Sequence, residues 1–252
     1  MLNKEKWLET KSAQLFVSDK NQWFHNHANE ILSFNSNYKK MFIECLSKRI
    51  TIKPRIKTEL KNPIRGIKAD DLNKEIRILL RNYLSDLKEE VNQDNGVYYY
   101  TTKEKKQVAG FDFAILNSRK NLHKLHDLCF GKLQYEDGNK RWSKFLDNNP
   151  DLNEYVNSAS FNDYEENDDI PLILGEIQFG NWALAYRDFF KILKANVQTS
   201  VDCLIYICPT GDLENMLSDG IVTFNKTKKI LQEFQKVISV PVWLIGIDIK
   251  IN

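Results

Sequence analysis

Pro171-Leu-Ile-Leu-Gly-Glu-Ile-Gln-Phe179 is the stretch on which the fold turns. It is an apolar run interrupted by two polar side chains, Glu176 and Gln178, and closed by Gly180-Asn181. A short apolar run ended by a turn signal predicts a buried strand. Alternate residues of a strand share a face, so Glu176 and Gln178 point the same way. A buried carboxylate without a partner is costly, so Glu176 is expected to coordinate something. Magnesium suits it, because that hard cation takes one or two carboxylates and keeps several waters. A Glu at a sheet edge, paired with a Lys or facing water, fits the same pattern.

Downstream, Trp182 to Asn196 reads as an amphipathic helix. Trp182, Tyr186, Phe189 and Leu193 share one face, and Arg187, Asp188, Lys191 and Lys194 point away. Val201 to Cys208 is a second strand. Gly211 to Ser218 and Lys226 to Lys236 are short helices, and Val240 to Ile249 is a last apolar strand. Strand, helix, strand, helix, strand predicts an α/β class with a sheet covered on both faces.

Upstream, Val108 to Leu116 is an apolar strand containing one acid, Asp112. Two strands that each bring an acid to one spot would give a carboxylate pair for one metal. Asp169, seven residues before Glu176, and its neighbour Asp168 compete for that role. Residues 118 to 168 are polar, helical around His123 and His126, and acidic at the end. They read as an insertion or small subdomain. The two His lie a helical turn apart with no further His nearby, which suits a surface helix better than a metal site. Residues 1 to 47 read as helical. Pro54, Pro63 and Gly66 break the next stretch. Asp70-Asp71 then starts a helix carrying Leu72, Ile76, Leu79, Leu80, Leu84 and Leu87. Asn95-Gly96 is a turn, and Val97 to Thr102 is extended.

The 252 residues can bury a sizeable core, and 42% hydrophobic with 28% charged residues is ordinary for a globular chain. No run approaches the roughly 20 apolar residues of a membrane helix, and Met1 to Lys11 lacks a signal core, so a cytoplasmic protein is expected. Cys45, Cys129, Cys203 and Cys208 form no CxxC pair and read as buried thiols in a reducing compartment. Neither GxGxxG nor GxxxxGK[ST] occurs, nor a GxSxG elbow. Net charge is only +2, but its distribution is uneven: Lys48 to Lys68 holds eight basic residues against Glu59 alone, and Phe145 to Asp169 holds eight acids and no Lys or Arg. A basic stretch suits a polyphosphate surface, although charge runs more often merely solvate one.

Leu174 to Phe234 resembles the type II restriction endonucleases of the BamHI and BglII group, a branch of the PD-(D/E)XK nuclease fold. The resembling residues are Gly175 to Asn181 (GEIQFGN), Ala185-Tyr186-Arg187, the strand Val201 to Ile207 (VDCLIYI) ending at Pro209, and Leu217 to Phe224 (LSDGIVTF). A weaker echo is Pro63 to Leu87, a basic loop leading into a helix. The resemblance implies a single endonuclease domain over 1–252: a mixed sheet flanked by helices, a helical N-terminal part to about residue 95, and an insertion at about 118–168. It implies a metal site built from an upstream acid, here Asp112, with Glu176 and the backbone carbonyl of Ile177. Gln178 stands where much of the fold has Lys; Gln is no base, so it is expected to orient the attacking water or ligate through its carbonyl. A Glu from an N-terminal helix can join such sites, and Glu75 and Glu89 are the candidates. Asn181, Arg187, Asp219 and Gly220 become candidate DNA contacts, with Lys57, Lys61 and Arg65 on the backbone. Gly220 replaces the Arg that BamHI carries there, which implies a different recognised sequence.

The implied reaction is magnesium-dependent hydrolysis of double-stranded DNA at a short palindromic site, leaving 5′-phosphates. It requires a homodimer, and it implies a cognate DNA methyltransferase in the same system. A non-catalytic DNA-binding protein and a structure-specific repair nuclease of the same fold are the alternatives.

Overall fold

The structure, a computed structural model, describes residues 4–34, 36–57, 64–102, 110–131, 135–165 and 170–251. The strands in chain order are β1 (Ser12–Phe16), β2 (Gln22–His25), β3 (Arg49–Thr51), β4 (Pro54–Lys57), β5 (Ile64–Ile67), β6 (Leu87–Asp94), β7 (Val97–Tyr99), β8 (Phe111–Ile115), β9 (Ile173–Ile177), β10 (Cys203–Pro209) and β11 (Val242–Lys250). The helices are α1 (Lys4–Leu8), α2 (Ala28–Phe34), α3 (Ser36–Cys45), α4 (Ala69–Tyr83), α5 (Ser118–Phe130), α6 (Gly138–Asn148), α7 (Asn153–Val156), α8 (Ala159–Asn162), α9 (Leu184–Gln198), α10 (Gly211–Met216) and α11 (Phe224–Glu233). Two compact units are built from them: residues 1–85, 176–193 and 203–252 form the first, and residues 86–175 with 194–202 the second. No helix among the described residues is long and apolar enough to cross a membrane.

The first unit is built on β10 and β11, which run parallel in the register Leu204↔Val242 to Pro209↔Ile247. Parallel strands need a crossover, and α10 and α11 supply it. Every residue of β10 is buried, as is most of β11, the pattern of strands covered on both faces. β2 pairs antiparallel with Val242 to Ile245, and β1 with Asp248 to Lys250, so the two take successive stretches of one edge of β11. β3 follows β1, which makes the sheet mixed, while β4 and β5 form a separate hairpin. Helix is expected throughout residues 1 to 47, and here the structure differs. Ser12–Phe16 alternates between half-buried and buried, with Ala13 and Leu15 inward. Pairing with β3 and β11 on either side outweighs local preference. The basic run from Lys48, where Pro54, Pro63 and Gly66 read as breaks, supplies β3, β4 and β5.

The second unit holds an antiparallel meander. β6 pairs with β7 and β8, and β8 pairs with Ile173 to Gly175 of β9. Gly175 faces Phe113, and the ring's Cζ lies 1.9 Å from where a Cβ on Gly175 would stand. Only glycine therefore lets β9 approach β8 here. Helices α5 to α8 fill the polar region from residue 118. His123 is stacked between Phe161 and Tyr164, with ring centroids 4.3 and 4.0 Å away, as part of a local aromatic cluster. All four cysteines are free and buried. Burial pushes the Cys45 thiol up to about 12, so it stays protonated.

Candidate active site

β9 ends at the border of the first unit, where the chain carries Glu176, Ile177 and Gln178 against β10. The Gln178 N–H donates to the Ile207 carbonyl at 2.8 Å. Glu176 is 3% exposed and Gln178 8%, so both polar groups are buried, as the strand pattern implies.

Helix α9 brings a partner to each side chain. Lys191 forms an ion pair with Glu176. Asp188, fully buried one turn earlier, gathers donors around it. Its Oδ2 accepts from Gln178 Nε2 at 2.9 Å and from the Tyr206 hydroxyl at 3.2 Å. Its Oδ1 accepts from Arg187 Nη2 at 2.9 Å and lies 3.9 Å from the Lys191 ammonium. The Gln178 amide is fixed at both ends, because its Oε1 takes the Gly180 N–H at 2.9 Å. Burial first, and then the charge of Asp188, hold the Tyr206 phenol well above its usual range, so it stays a donor. Arg187 is also raised: burial opposes its charge, but the hydrogen bond and charge of Asp188 outweigh that.

This pairing corrects the reading of α9. Asp188 and Lys191 were expected on the solvent face with Arg187 and Lys194. Instead Ala185, Asp188, Phe189, Ile192 and Ala195 form the buried face, and Trp182, expected inward, lies before the helix and is 46% exposed. The inward stripe of Ala185, Phe189, Ile192 and Ala195 was the available signal.

Helix α4 contributes Asn73, whose Nδ2 donates to the Ile177 carbonyl at 3.4 Å and whose Oδ1 accepts from Arg77 Nε at 2.7 Å. No feature of the sequence singled it out. Glu75 on the same helix instead accepts the Thr51 N–H at 3.1 Å, tying α4 to β3. Glu89 lies on β6 in the second unit, where it pairs with Phe113. Asp112 is half-buried on β8, also in the second unit, one residue before Phe113, whose strand partner is Gly175. Asp168 and Asp169 lie outside the described residues, as does Lys61.

Beyond Gln178 the chain forms a clamp with the loop after α10. Trp182 N–H donates to Gly220 O at 3.0 Å and Val222 N–H to Gly180 O at 2.8 Å, with Asn181 bridged to Ile221. Asn181 is exposed, and its Oδ1 accepts from Ala183 N–H at 2.9 Å, so it shapes a turn ahead of α9 rather than capping it. Lys57, almost fully buried, donates to the carbonyls of Leu217 at 2.5 Å and Asn215 at 3.4 Å and to Asp219 Oδ1 at 3.2 Å. Its charge thus caps the end of α10 and anchors the exposed Asp219. Gly220 has a φ of 72°, a left-handed conformation that suits glycine, though a side chain there would meet open space. Arg65 lies over the Trp7 ring at 5.5 Å.

The sequence pattern of a family described as "Restriction endonuclease BglII/BglIII" matches residues 21–247. The chain belongs to the BglII/BglIII restriction endonuclease family. It is therefore a type II site-specific deoxyribonuclease, as the resemblance in residues 174–234 implied. A search of curated proteins finds no match. Among solved structures, the crystal structure of restriction endonuclease BglII complexed with a DNA 16-mer aligns with a TM-score of 0.44 at 14% identity, covering 89% of this chain and 74% of that one. In this BglII-family chain the buried polar cluster at the end of β9 holds both residues singled out from the strand pattern, Glu176 and Gln178. It adds three that were not: Asp188, Lys191 and Tyr206.

The donor set suits a hard cation. The Glu176 carboxylate and the Ile177 carbonyl are oxygen donors of the kind such an ion takes, on adjacent residues. Among the described residues, no group of three or more His, Cys, Asp and Glu side chains is placed to hold a metal ion. Magnesium does not need one, since it takes one or two carboxylates and completes its shell with carbonyls and waters.

Proposed function

We propose that the chain is a magnesium-dependent endonuclease that cuts double-stranded DNA at a short palindromic site, leaves 5′-phosphates and works as a homodimer in the cytoplasm beside a cognate DNA methyltransferase. The observation that carries this reading is a buried, ion-paired carboxylate followed by a carbonyl and a fixed amide at the end of β9, in a chain of a restriction endonuclease family.

We assign Glu176, the Ile177 carbonyl and Asp112 to hold the ion. When bound, magnesium polarises a phosphoryl oxygen and lowers the pKa of a water at neutral pH. The protein's own residues do the rest. Asp188 fixes the Gln178 amide, leaving Oε1 as an acceptor beside the Gly180 N–H, where it can orient a water. Asn181 and Gly220, held together by the backbone bonds between residues 180–182 and 220–222, and the adjoining Asp219, steadied by Lys57, present polar groups suited to base edges. Arg187, Arg65 and Lys61 are assigned to phosphates, which give affinity without sequence choice.

The test is incubation of purified protein with a defined plasmid, with magnesium or with EDTA. Discrete bands that need magnesium support the reading, and end-mapping gives the site and the 5′ group. A smear, or no cutting of unmethylated DNA of varied sequence, overturns it.

Cutting two strands of a palindrome calls for two sites related by a two-fold axis. An apolar patch in the first unit suits that contact: Phe190 is 70% exposed, Val237 57% and Phe234 42%, with Tyr186 against Phe234 at 6.0 Å. Exposed patches of this kind mark interaction surfaces. Phe190→Glu combined with Val237→Lys is expected to convert a dimer to a monomer in sedimentation and to abolish double-strand cutting. A dimer that persists would place the contact elsewhere.

A further inference from the structure

We propose that Lys191 is a built-in counter-ion that holds the cation's place on Glu176 and gives way when a divalent cation binds there. The inference rests on the reading of Glu176 as a metal ligand and adds a residue that loads the site. Glu176 is 3% exposed, and an ionised carboxylate so placed is costly without a compensating partner. Lys191, reaching in from α9, is that partner in the metal-free protein.

Two features make it a removable partner. A quarter of the Lys191 side chain is exposed, so its flexible stem has a path to water, whereas Glu176 is confined to β9. Asp188, an acid one turn earlier on α9, is already satisfied by Gln178, Tyr206 and Arg187 and makes only a 3.9 Å contact with Lys191. The ammonium is therefore held inward by Glu176, and Asp188 remains a nearby acceptor once Glu176 is taken. A divalent cation on Glu176 would meet a like charge at contact distance unless Lys191 moves. Glu176 thus has a positive partner in both states, and cation affinity is set partly by the cost of displacing Lys191.

The test is cation binding by the full chain without DNA. Terbium luminescence is followed, with magnesium as competitor. Lys191→Met should bind about tenfold or more tightly, because a like charge beside the ion is gone. Lys191→Arg, which keeps the charge, should stay near wild type. Lys191→Gln is the second neutral variant should the Met variant fail to fold, as judged by circular dichroism. Glu176→Gln should lose the binding. If Glu176→Gln weakens binding while both neutral Lys191 variants bind no better than wild type, the counter-ion role is overturned and the metal site stands. If Glu176→Gln binds as wild type, the metal-site reading itself fails, and the inference with it.

Discussion

Glu176→Gln will give a folded protein that binds DNA and does not cut it. The substitution keeps the shape of a side chain that is almost fully buried in β9, so packing against β10 is preserved. The Lys191 ammonium keeps an oxygen acceptor in the Gln amide and has Asp188 within 3.9 Å. What goes is the negative charge that a hard cation needs, and with it several kcal/mol of transition-state charge stabilisation, which corresponds to a rate loss of about a thousandfold or more. Single-turnover cleavage measured beside a filter-binding assay in EDTA separates the two effects. Residual cutting within about tenfold of wild type would mean that Glu176 does not hold the ion. Parallel loss of DNA affinity would mean that the variant acts through folding. Asp112→Asn provides the companion measurement, with the same outcome expected if Asp112 is the first acid.

The elements from β9 to β11 were legible because their patterns are local. β9 and β10 are apolar runs buried along their whole length, and the intervening helix has its own 3.6-residue period. Glu176 and Gln178 stood out for the same reason, as polar residues inside such a run. The strands of the first 50 residues were not legible. β1 is defined by its neighbours: Ala13 and Leu15 turn inward only because β3 and β11 flank them.

Asp188 and Lys191 were misread for a different physical reason. A helical wheel treats charge as a marker of solvent, and Asp188 lies beside Arg187 and one turn from Lys191. The donors that make its burial tolerable come from Gln178, ten residues back on the chain, and Tyr206, eighteen residues ahead. Periodicity within the helix carries no record of them. Lys57 is a similar case. As one of eight basic residues in a run it reads as a phosphate contact, yet its ammonium is spent on the carbonyls of Asn215 and Leu217 and on Asp219. Contacts of this kind close over long sequence separations, so only the folded chain shows them.

The largest expected loss of stability follows from Asp188. Replacement by Ala leaves the Tyr206 hydroxyl and the Gln178 amide, both buried, without their acceptor, and leaves Arg187 and Lys191 without one of their anions. Removing one partner of a buried charged network costs about 3–5 kcal/mol. For a chain of this size each kcal/mol lowers the midpoint by about 2–4 °C, so a fall of roughly 10 °C is expected. Asp188→Asn should be milder. Its single oxygen can still accept from Gln178 and Tyr206, and its NH2 then faces Arg187, whose side chain is 62% exposed and can turn to water. The two variants should therefore rank Ala below Asn below wild type in thermal melts. Cleavage should fall in the Ala variant, where the Gln178 amide is no longer held at both ends, and fall less in the Asn variant, which keeps that acceptor. Equal melting of all three proteins would show that Gln178 and Tyr206 find other acceptors and that Asp188 does not organise the cluster. Equal loss in Asn and Ala would show that the charge itself, and not the acceptor geometry, keeps Lys191 and Arg187 in place.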